Sequence, residues 1–206
     1  RRHTRYGTVT GVQTCALPIC SQRLFVALWP SAQSLKRVDE LAAQWHAALG
    51  GRRLPAGNLH ITLALLGEVD DARVANVEQA MIETGPPAFE LSIDQLQFRA
   101  TSSGRSAGVR GMLWARASRT PPALAALVRR LRRALSARGF AVEERPFIPH
   151  VTLLRDARKP VQLHAIDPIV WPVHELTLVR STLSRAGAAY EVIGRVPPVS
   201  ESPLLP

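Results

Sequence analysis

The chain has 206 residues, 46% of them hydrophobic, which is enough for a real core and fits one domain of two lobes or two small domains. No apolar run approaches the ~18 residues that a bilayer-spanning helix needs, which argues against a membrane protein. The formal net charge of +10 is carried by 24 arginines and two lysines, Lys36 and Lys159. Arginine reads planar anions with a two-pronged fork and stacks on bases, so the balance favours RNA or another phosphate-bearing partner. Genome composition is the plainer reading of the Arg/Lys ratio.

Residues 1–20 stand apart. They carry Arg1, Arg2, Arg5 and both cysteines of the chain, Cys15 and Cys20, without periodicity, and the apolar stretch around Ala16–Ile19 is too short for a secretory signal. Two cysteines without further ligands at metal spacing make no metal site. The segment reads as a non-native or disordered extension, the folded domain as 21–196, and 197–206 as a tail. With no other cysteine, disulfides do not bear on the fold, and a cytoplasmic protein is expected.

Arg23 to Trp29 is an apolar run of strand length, ended by Pro30. Ser31 then caps a helix whose stripe is Leu35, Val38, Leu41, Ala42, Trp45 and Leu49, stopped by Gly50-Gly51. Arg52–Leu54 is a candidate short strand. A turn over Pro55–Asn58 leads into a strand that ends at Gly67. Asp70 or Asp71 caps a second helix with Val74, Val77 and Met81, broken by Gly85-Pro86-Pro87. Phe89, Leu91, Ile93, Leu96 and Phe98 alternate with a register slip near Gln95. Thr101–Ala107 reads as a loop, and Val109–Ala117 as a strand.

Pro121-Pro122 opens a third helix with the stripe Leu124, Leu127, Val128, Leu131 and Leu135, closed by Gly139. Its arginines, Arg129, Arg130, Arg132, Arg133 and Arg138, form either an RNA-binding ridge or a solvated face, and the second reading is favoured. Phe140–Glu143 is a candidate short strand. A second long strand begins after Pro149, a loop runs from Lys159 to Pro168, and His174–Arg180 with Tyr190–Arg195 read as a closing antiparallel pair. No glycine-rich phosphate loop follows the first strand, which argues against a nucleotide-binding parallel sheet.

Two stretches repeat one pattern: Leu59-His60-Ile61-Thr62-Leu63 and Pro149-His150-Val151-Thr152-Leu153. A strand's side-chain period of two sets His60 and Thr62 on one face, Ile61 and Leu63 on the other, and likewise for His150 and Thr152. With 11 threonines in 206 residues, two such pairs among six histidines arise by accident about 4% of the time. Two imidazoles and two hydroxyls converging on one cleft are equipment for acid–base chemistry on a phosphate. Two α+β lobes, each holding one His-x-Thr strand and facing a shared groove, explain the spacing. His3, His46, His164 and His174 lack the threonine, and Trp29 and Trp114 read as packing.

These segments resemble the two-histidine phosphoesterases, and among them the bacterial RNA 2′,3′-cyclic phosphodiesterases formerly called 2′-5′ RNA ligases. The resemblance runs from Arg23 to about Arg195. It is carried by Arg23–Ala27, by Asn58–Leu63 with Leu66-Gly67-Glu68, by Arg145-Pro146-Phe147 with Pro149–Arg155, and by Leu176–Ser181 with Tyr190. It implies a bilobal α+β fold with two pseudo-symmetric lobes, antiparallel sheets facing a central cleft and helices outside. It implies hydrolysis of RNA 2′,3′-cyclic phosphate ends to 2′-phosphates, reverse 2′-5′ ligation in some members, and no metal or other cofactor.

Opening a cyclic phosphate needs an activated water on one side and a protonated leaving oxygen on the other, and histidine, with an ordinary pKa near ~6.5, can supply either. The resemblance implies His60 as general acid on O3′ and His150 as general base; the residues alone leave that choice symmetric. Thr62 and Thr152 can donate to the non-bridging oxygens. Arg155 resembles the family arginine that assists the phosphate, and Phe25 a family aromatic that stacks on the terminal base. A monomer is expected. The alternatives are a non-catalytic RNA-binding module, or a phosphodiesterase for small cyclic nucleotides or 2′-5′ oligonucleotides.

Overall fold

A computed structural model describes residues 21–86, 88–104, 108–184 and 187–198. Among them lie nine strands and three α-helices: β1 (Ser21–Leu28), α1 (Ala32–Leu49), β2 (Arg52–Arg53), β3 (Ile61–Asp70), α2 (Val74–Thr84), β4 (Phe89–Gly104), β5 (Gly108–Arg116), α3 (Pro122–Ser136), β6 (His150–Ala157), β7 (His164–Val173), β8 (Leu176–Ser184) and β9 (Gly187–Val196).

Every strand pairing is antiparallel, in the order β7-β4-β5-β6-β3-β1-β8-β9 with β2 on β6. At the middle, β3 meets β6 through a single residue pair, Ile61 with Val151. The array is therefore two four-stranded sheets joined at a seam, with the short β2 added on β6. Each reads outward from a His-x-Thr strand: β3-β1-β8-β9 on one side, β6-β5-β4-β7 on the other. This is the bilobal α+β arrangement expected from the spacing of the two motifs. The first lobe collects both ends of the domain and the second its middle, so the lobes are not successive halves of the chain.

The helices cross between lobes. Helix α1 follows a strand of the first lobe but packs on β6 and β7 of the second, while α2 and α3 pack together over β9 and β3 of the first. Val38, Ala42 and Leu49 bury the α1 stripe, and the buried Ser34 hydroxyl donates to the Val170 carbonyl at 2.9 Å. Ser31 caps the helix, accepting from the Ser34 amide at 3.1 Å. Residues of both lobes and all three helices merge into one apolar cluster, with Leu24, Val38, Ile61, Leu127, Val151 and Trp171 at its centre. After α1, Gly51 has φ +87°, and a Cβ there would lie 2.7 Å from the Ala157 amide nitrogen and the Arg155 carbonyl oxygen. Glycine thus lets β2 run tightly against β6, beside Arg155.

Three arginines of the third helical segment work as clasps rather than as a ridge. Arg130 donates to the Thr84 and Gly85 carbonyls at 3.0 and 3.1 Å, capping the end of α2. Arg132 donates to the Arg145 carbonyl at 3.0 Å, and Arg138 holds the Ala134 carbonyl and Glu83. Arg129 and Arg133 remain exposed.

Several boundaries differ from the sequence reading. Strand β7 occupies much of the expected Lys159–Pro168 loop and contains Pro168 and Pro172. It is an edge strand bonded only to β4, where a missing N–H can face outward. Strand β4 continues through Thr101 to Gly104, because β5 pairs with it as far as Gly108. The register slip expected near Gln95 is present, between Ile93 and Gln95. Phe140–Glu143 is not a strand; Phe140 is buried against the core without a ladder partner. Strand β3 runs past Gly67, whose φ of +72° absorbs a bulge opposite Leu24 and Phe25. Asp70 precedes a 3₁₀ turn (Asp71–Arg73), and its side chain makes no capping bond. Residues 1–20, with Cys15 and Cys20, lie outside the described residues, as does most of the expected tail. Among the described residues no helix is long and apolar enough to cross a membrane.

The seam generates a stability test. Ile61 is 0% exposed and sits at the single pair joining the sheets, so Ile61→Ala should cost about 2–5 kcal/mol. Urea denaturation followed by circular dichroism should show an earlier midpoint and still one transition.

Candidate active site

Both histidines are held in the same way. The His60 Nδ1 lies 2.8 Å from the Asn58 carbonyl, and the His150 Nδ1 lies 2.8 Å from the Ile148 carbonyl. A carbonyl only accepts, so each Nδ1 carries the proton and each neutral ring keeps its lone pair on Nε2. In His60 that lone pair accepts from the Thr62 hydroxyl at 3.0 Å. The Ile61–Val151 pair sets the register across the seam, placing His60 opposite Thr152 and Thr62 opposite His150. All four point to the face away from Ile61 and Val151, which are buried in the core.

Aromatic rings fix the imidazole planes. His60 lies on Phe25 (centroids 4.8 Å apart, 29° between planes) and parallel to Trp29 (5.4 Å, 3°), with Tyr190 edge-on at 5.2 Å. A separate small cluster of Phe25, Ala27 and Val179, flanked by Trp29, Tyr190 and Val192, forms the floor beneath it. His150 stacks on Trp114 at 3.7 Å and 20°. The Arg99 guanidinium lies 5.1 Å over the same indole.

Two cavities meet at the seam. One, of about 540 Å³, is lined by His60, Phe25, Arg155 and Tyr190; the other, of about 450 Å³, by His150, Trp114, Arg99 and Phe147. Thr62 and Leu65 belong to both walls. Of the residues singled out from sequence, His60, Thr62, His150 and Arg155 thus come together. Thr152 shares their strand face, paired with Trp114 across β5–β6, but lines neither cavity. Phe25 is 4% exposed and carries His60 on its ring, so it supports the imidazole from below. His46 bonds the Gly51 carbonyl and His164 touches Trp45, both at α1 and away from the seam.

Sequence reasoning missed Trp29 and Trp114 as site residues, and passed over Arg99 and Arg116. Arg116 pairs with His150, and Trp114 with Thr152, across β5–β6. The signal that would have found them is the alternation in Val109–Ala117, which sets Trp114 and Arg116 on one face. Only the strand pairing reveals that this face is the histidine face.

Burial is the main cause that pushes the His60 pKa down to about 4; the Asn58 carbonyl opposes it, and the charges of His150 and Arg155 add to it. His150 is lowered too, first by burial, against the Ile148 carbonyl, and then by Arg99 and Arg116. Among the described residues neither Arg155, Arg99 nor Arg116 has an acidic partner. The cleft therefore holds two neutral imidazoles among uncompensated cations. An anion entering it gains those charges, and its own charge favours protonating the rings. No three His, Cys, Asp or Glu side chains come together among the described residues.

The model of the 2′-5′ RNA ligase superfamily matches residues 26–185, which include both His-x-Thr strands. The chain belongs to that superfamily. It is 32% identical over 178 residues to the RNA 2′,3′-cyclic phosphodiesterase of Escherichia coli strain K12, covering 84% of this chain and 95% of that protein. It is 28% identical over 181 residues to the enzyme of the same name from Thermotoga maritima, covering 83% and 92%. Among solved structures, E. coli LigT complexed with 3′-AMP superposes with a TM-score of 0.64 at 32% identity, over 87% of this chain and 99% of that one. A protein of Thermus thermophilus, TT0787, shares the fold, with a TM-score of 0.70 at 23% identity over 85% and 97%.

The electrostatics lead to a titration test. In the unfolded chain His60 takes up its proton near ~6.5, whereas the folded protein resists protonation there down to about 4. Stability should therefore fall as pH drops through that window, and His60→Gln should flatten the slope. Nuclear magnetic resonance titration should place His60 near 4, and inorganic phosphate should move both histidines upward.

Proposed function

We propose that this chain hydrolyses 2′,3′-cyclic phosphate ends of RNA to 2′-phosphate ends, passing protons through His60 and His150 without a metal ion. The observation that carries the reading is the pair of identically tethered imidazoles, each opposite the other's threonine across the Ile61–Val151 seam, in a cleft where Arg155, Arg99 and Arg116 have no acidic partner among the described residues. The names of the E. coli and T. maritima relatives support the reaction and the RNA substrate, as does the net charge of +10.

In this mechanism water lies by His150, whose Nε2 takes a proton as the oxygen attacks phosphorus. The bond from phosphorus to O3′ breaks, and His60 Nε2 delivers a proton to the departing oxygen, leaving the phosphate on O2′. The acid role of His60 depends on the substrate: its phosphate charge offsets the repulsion from Arg155 and His150 and puts a proton on the ring. Thr62 and Thr152 donate to the non-bridging oxygens, and Arg155 neutralises the charge that builds up in the transition state. The terminal base lies in the His60 cavity against Tyr190, with Phe25 holding His60 from beneath. The site is complete within one chain, which acts as a monomer.

Turnover of a 2′,3′-cyclic-phosphate-ended oligonucleotide in EDTA tests the reading. His60→Ala and His150→Ala should each lower kcat by about 10²–10⁴-fold or more, with RNA binding retained. Absence of product at every pH, or loss of activity in EDTA, overturns it. A substrate with sulfur in place of O3′ needs no proton on its leaving group, so it should rescue His60→Ala and not His150→Ala; the opposite pattern exchanges the roles. The bell for kcat/KM reports the free enzyme. With His60 near 4 and His150 below its ordinary value, its maximum should lie on the acid side of ~6.5.

A further inference from the structure

We infer that Arg52 binds the phosphate on the 5′-oxygen of the terminal nucleotide, so that the site selects the end of an RNA strand over a nucleoside cyclic phosphate with a free 5′-hydroxyl. The inference rests on the reaction proposed above.

The place of Arg52 follows from how the seam opens. Strand β3 pairs with β6 only at Ile61–Val151, while β5 holds the other edge of β6. Further along, β2 takes over the edge that β3 has left. It pairs Arg53 with Leu154 and Arg52 with Arg155, and the Leu54 amide donates to the Leu153 carbonyl at 3.0 Å. The side-chain period of two then sorts its residues. Arg53 turns to α1 and is paired with Asp39, whereas Arg52 and Leu54 turn to the cavity that holds His60.

Arg52 and Arg155 are therefore direct cross-strand neighbours. Both are exposed, and neither has an acidic partner among the described residues. Like charges facing each other across antiparallel strands destabilise the pair, and an anion beside them reverses that cost. The described residues lining this cavity of about 540 Å³ include no Asp or Glu that could do so. Arg23, the third arginine of the lining, differs in facing Glu68 across β1–β3. The Arg52 guanidinium reaches from β2 to the β8–β9 hairpin, where a Cβ on Gly187 would lie 3.4 Å from its Nη1.

The reacting phosphate engages His60, Thr62 and Arg155, which leaves Arg52 without a task in the chemistry. The ribose of a terminal nucleotide carries the cyclic phosphate at one end and the rest of the strand, through its 5′-oxygen, at the other. With the cyclic phosphate at the seam and the base against Tyr190, the 5′-phosphate is the remaining anion. An arginine fork matches two of its oxygens at once.

Three substrates test this: a nucleoside 2′,3′-cyclic phosphate, the same nucleoside with a 5′-phosphate monoester, and a dinucleotide whose 5′-oxygen carries a phosphodiester. In the wild-type protein kcat/KM should rise about ten- to a hundredfold from the first to the dinucleotide, the effect of one hydrogen-bonded charge. Arg52→Gln should remove most of that ratio, and Arg23→Gln should keep it. Each ratio is taken within one variant, so a general change in the cleft cancels. For the dinucleotide, the fall of log kcat/KM with log salt should be shallower in Arg52→Gln by about 0.7, the loss of one phosphate contact on a single strand. A wild-type ratio near one, a ratio untouched by Arg52→Gln, a ratio lost instead with Arg23→Gln, or a gain confined to the monoester overturns the inference while leaving hydrolysis intact. Failure of the wild-type protein to hydrolyse any of the three overturns the reaction on which it rests.

Discussion

One backbone pairing, Ile61 against Val151, determines the geometry of the cleft. It is where two sheets of opposite direction touch, and its antiparallel register decides which side chains face which. Because the side-chain period is two, burying Ile61 and Val151 turns His60, Thr62, His150 and Thr152 outward together. A slip of one residue in either strand would send a histidine into the core and an apolar residue into the cleft. The hydrophobic effect thus sets the catalytic register, by penalising every alternative with a buried imidazole.

The two halves of the cleft are alike in backbone and unlike in lining. Beneath His60 the first sheet presents an aromatic and aliphatic floor of Phe25, Ala27 and Val179. Beside His150 the second sheet presents Trp114 with Arg99 and Arg116. Carbonyl tethers of equal length hold both rings in the same tautomer, while the aromatic and charged groups around them differ. Desolvation and neighbouring cations empty both rings of protons, and only an incoming anion reverses that balance.

Much of this was legible in the sequence because it depends on periods. The stripes of α1 and α3, the alternation of β4 with its slip near Gln95, and the doubled His-x-Thr pattern all rest on spacing along one strand or helix. What escaped depends on pairing between strands. Trp114 looked like a core residue because its neighbours on β5 are apolar, and only its position across from Thr152 reveals that it faces the cleft. Strand β7 was hidden by Pro168 and Pro172, which signal a loop unless the strand lies at an edge. The α3 arginines read as a surface because nothing local says that Arg130 will cap the end of a different helix.

The crossing of the helices bears on how the molecule can move. Each lobe carries on its back a helix that the chain enters from the other, and one continuous apolar cluster runs through both. Swinging the sheets apart would pull β1 away from α1, which stays on β6 and β7, and open the shared interior to water. The groove is consequently a fixed jaw rather than a clamshell. Among the described residues, the walls of the site are thus held by the same core that holds the fold, and the side chains facing the groove are already in position.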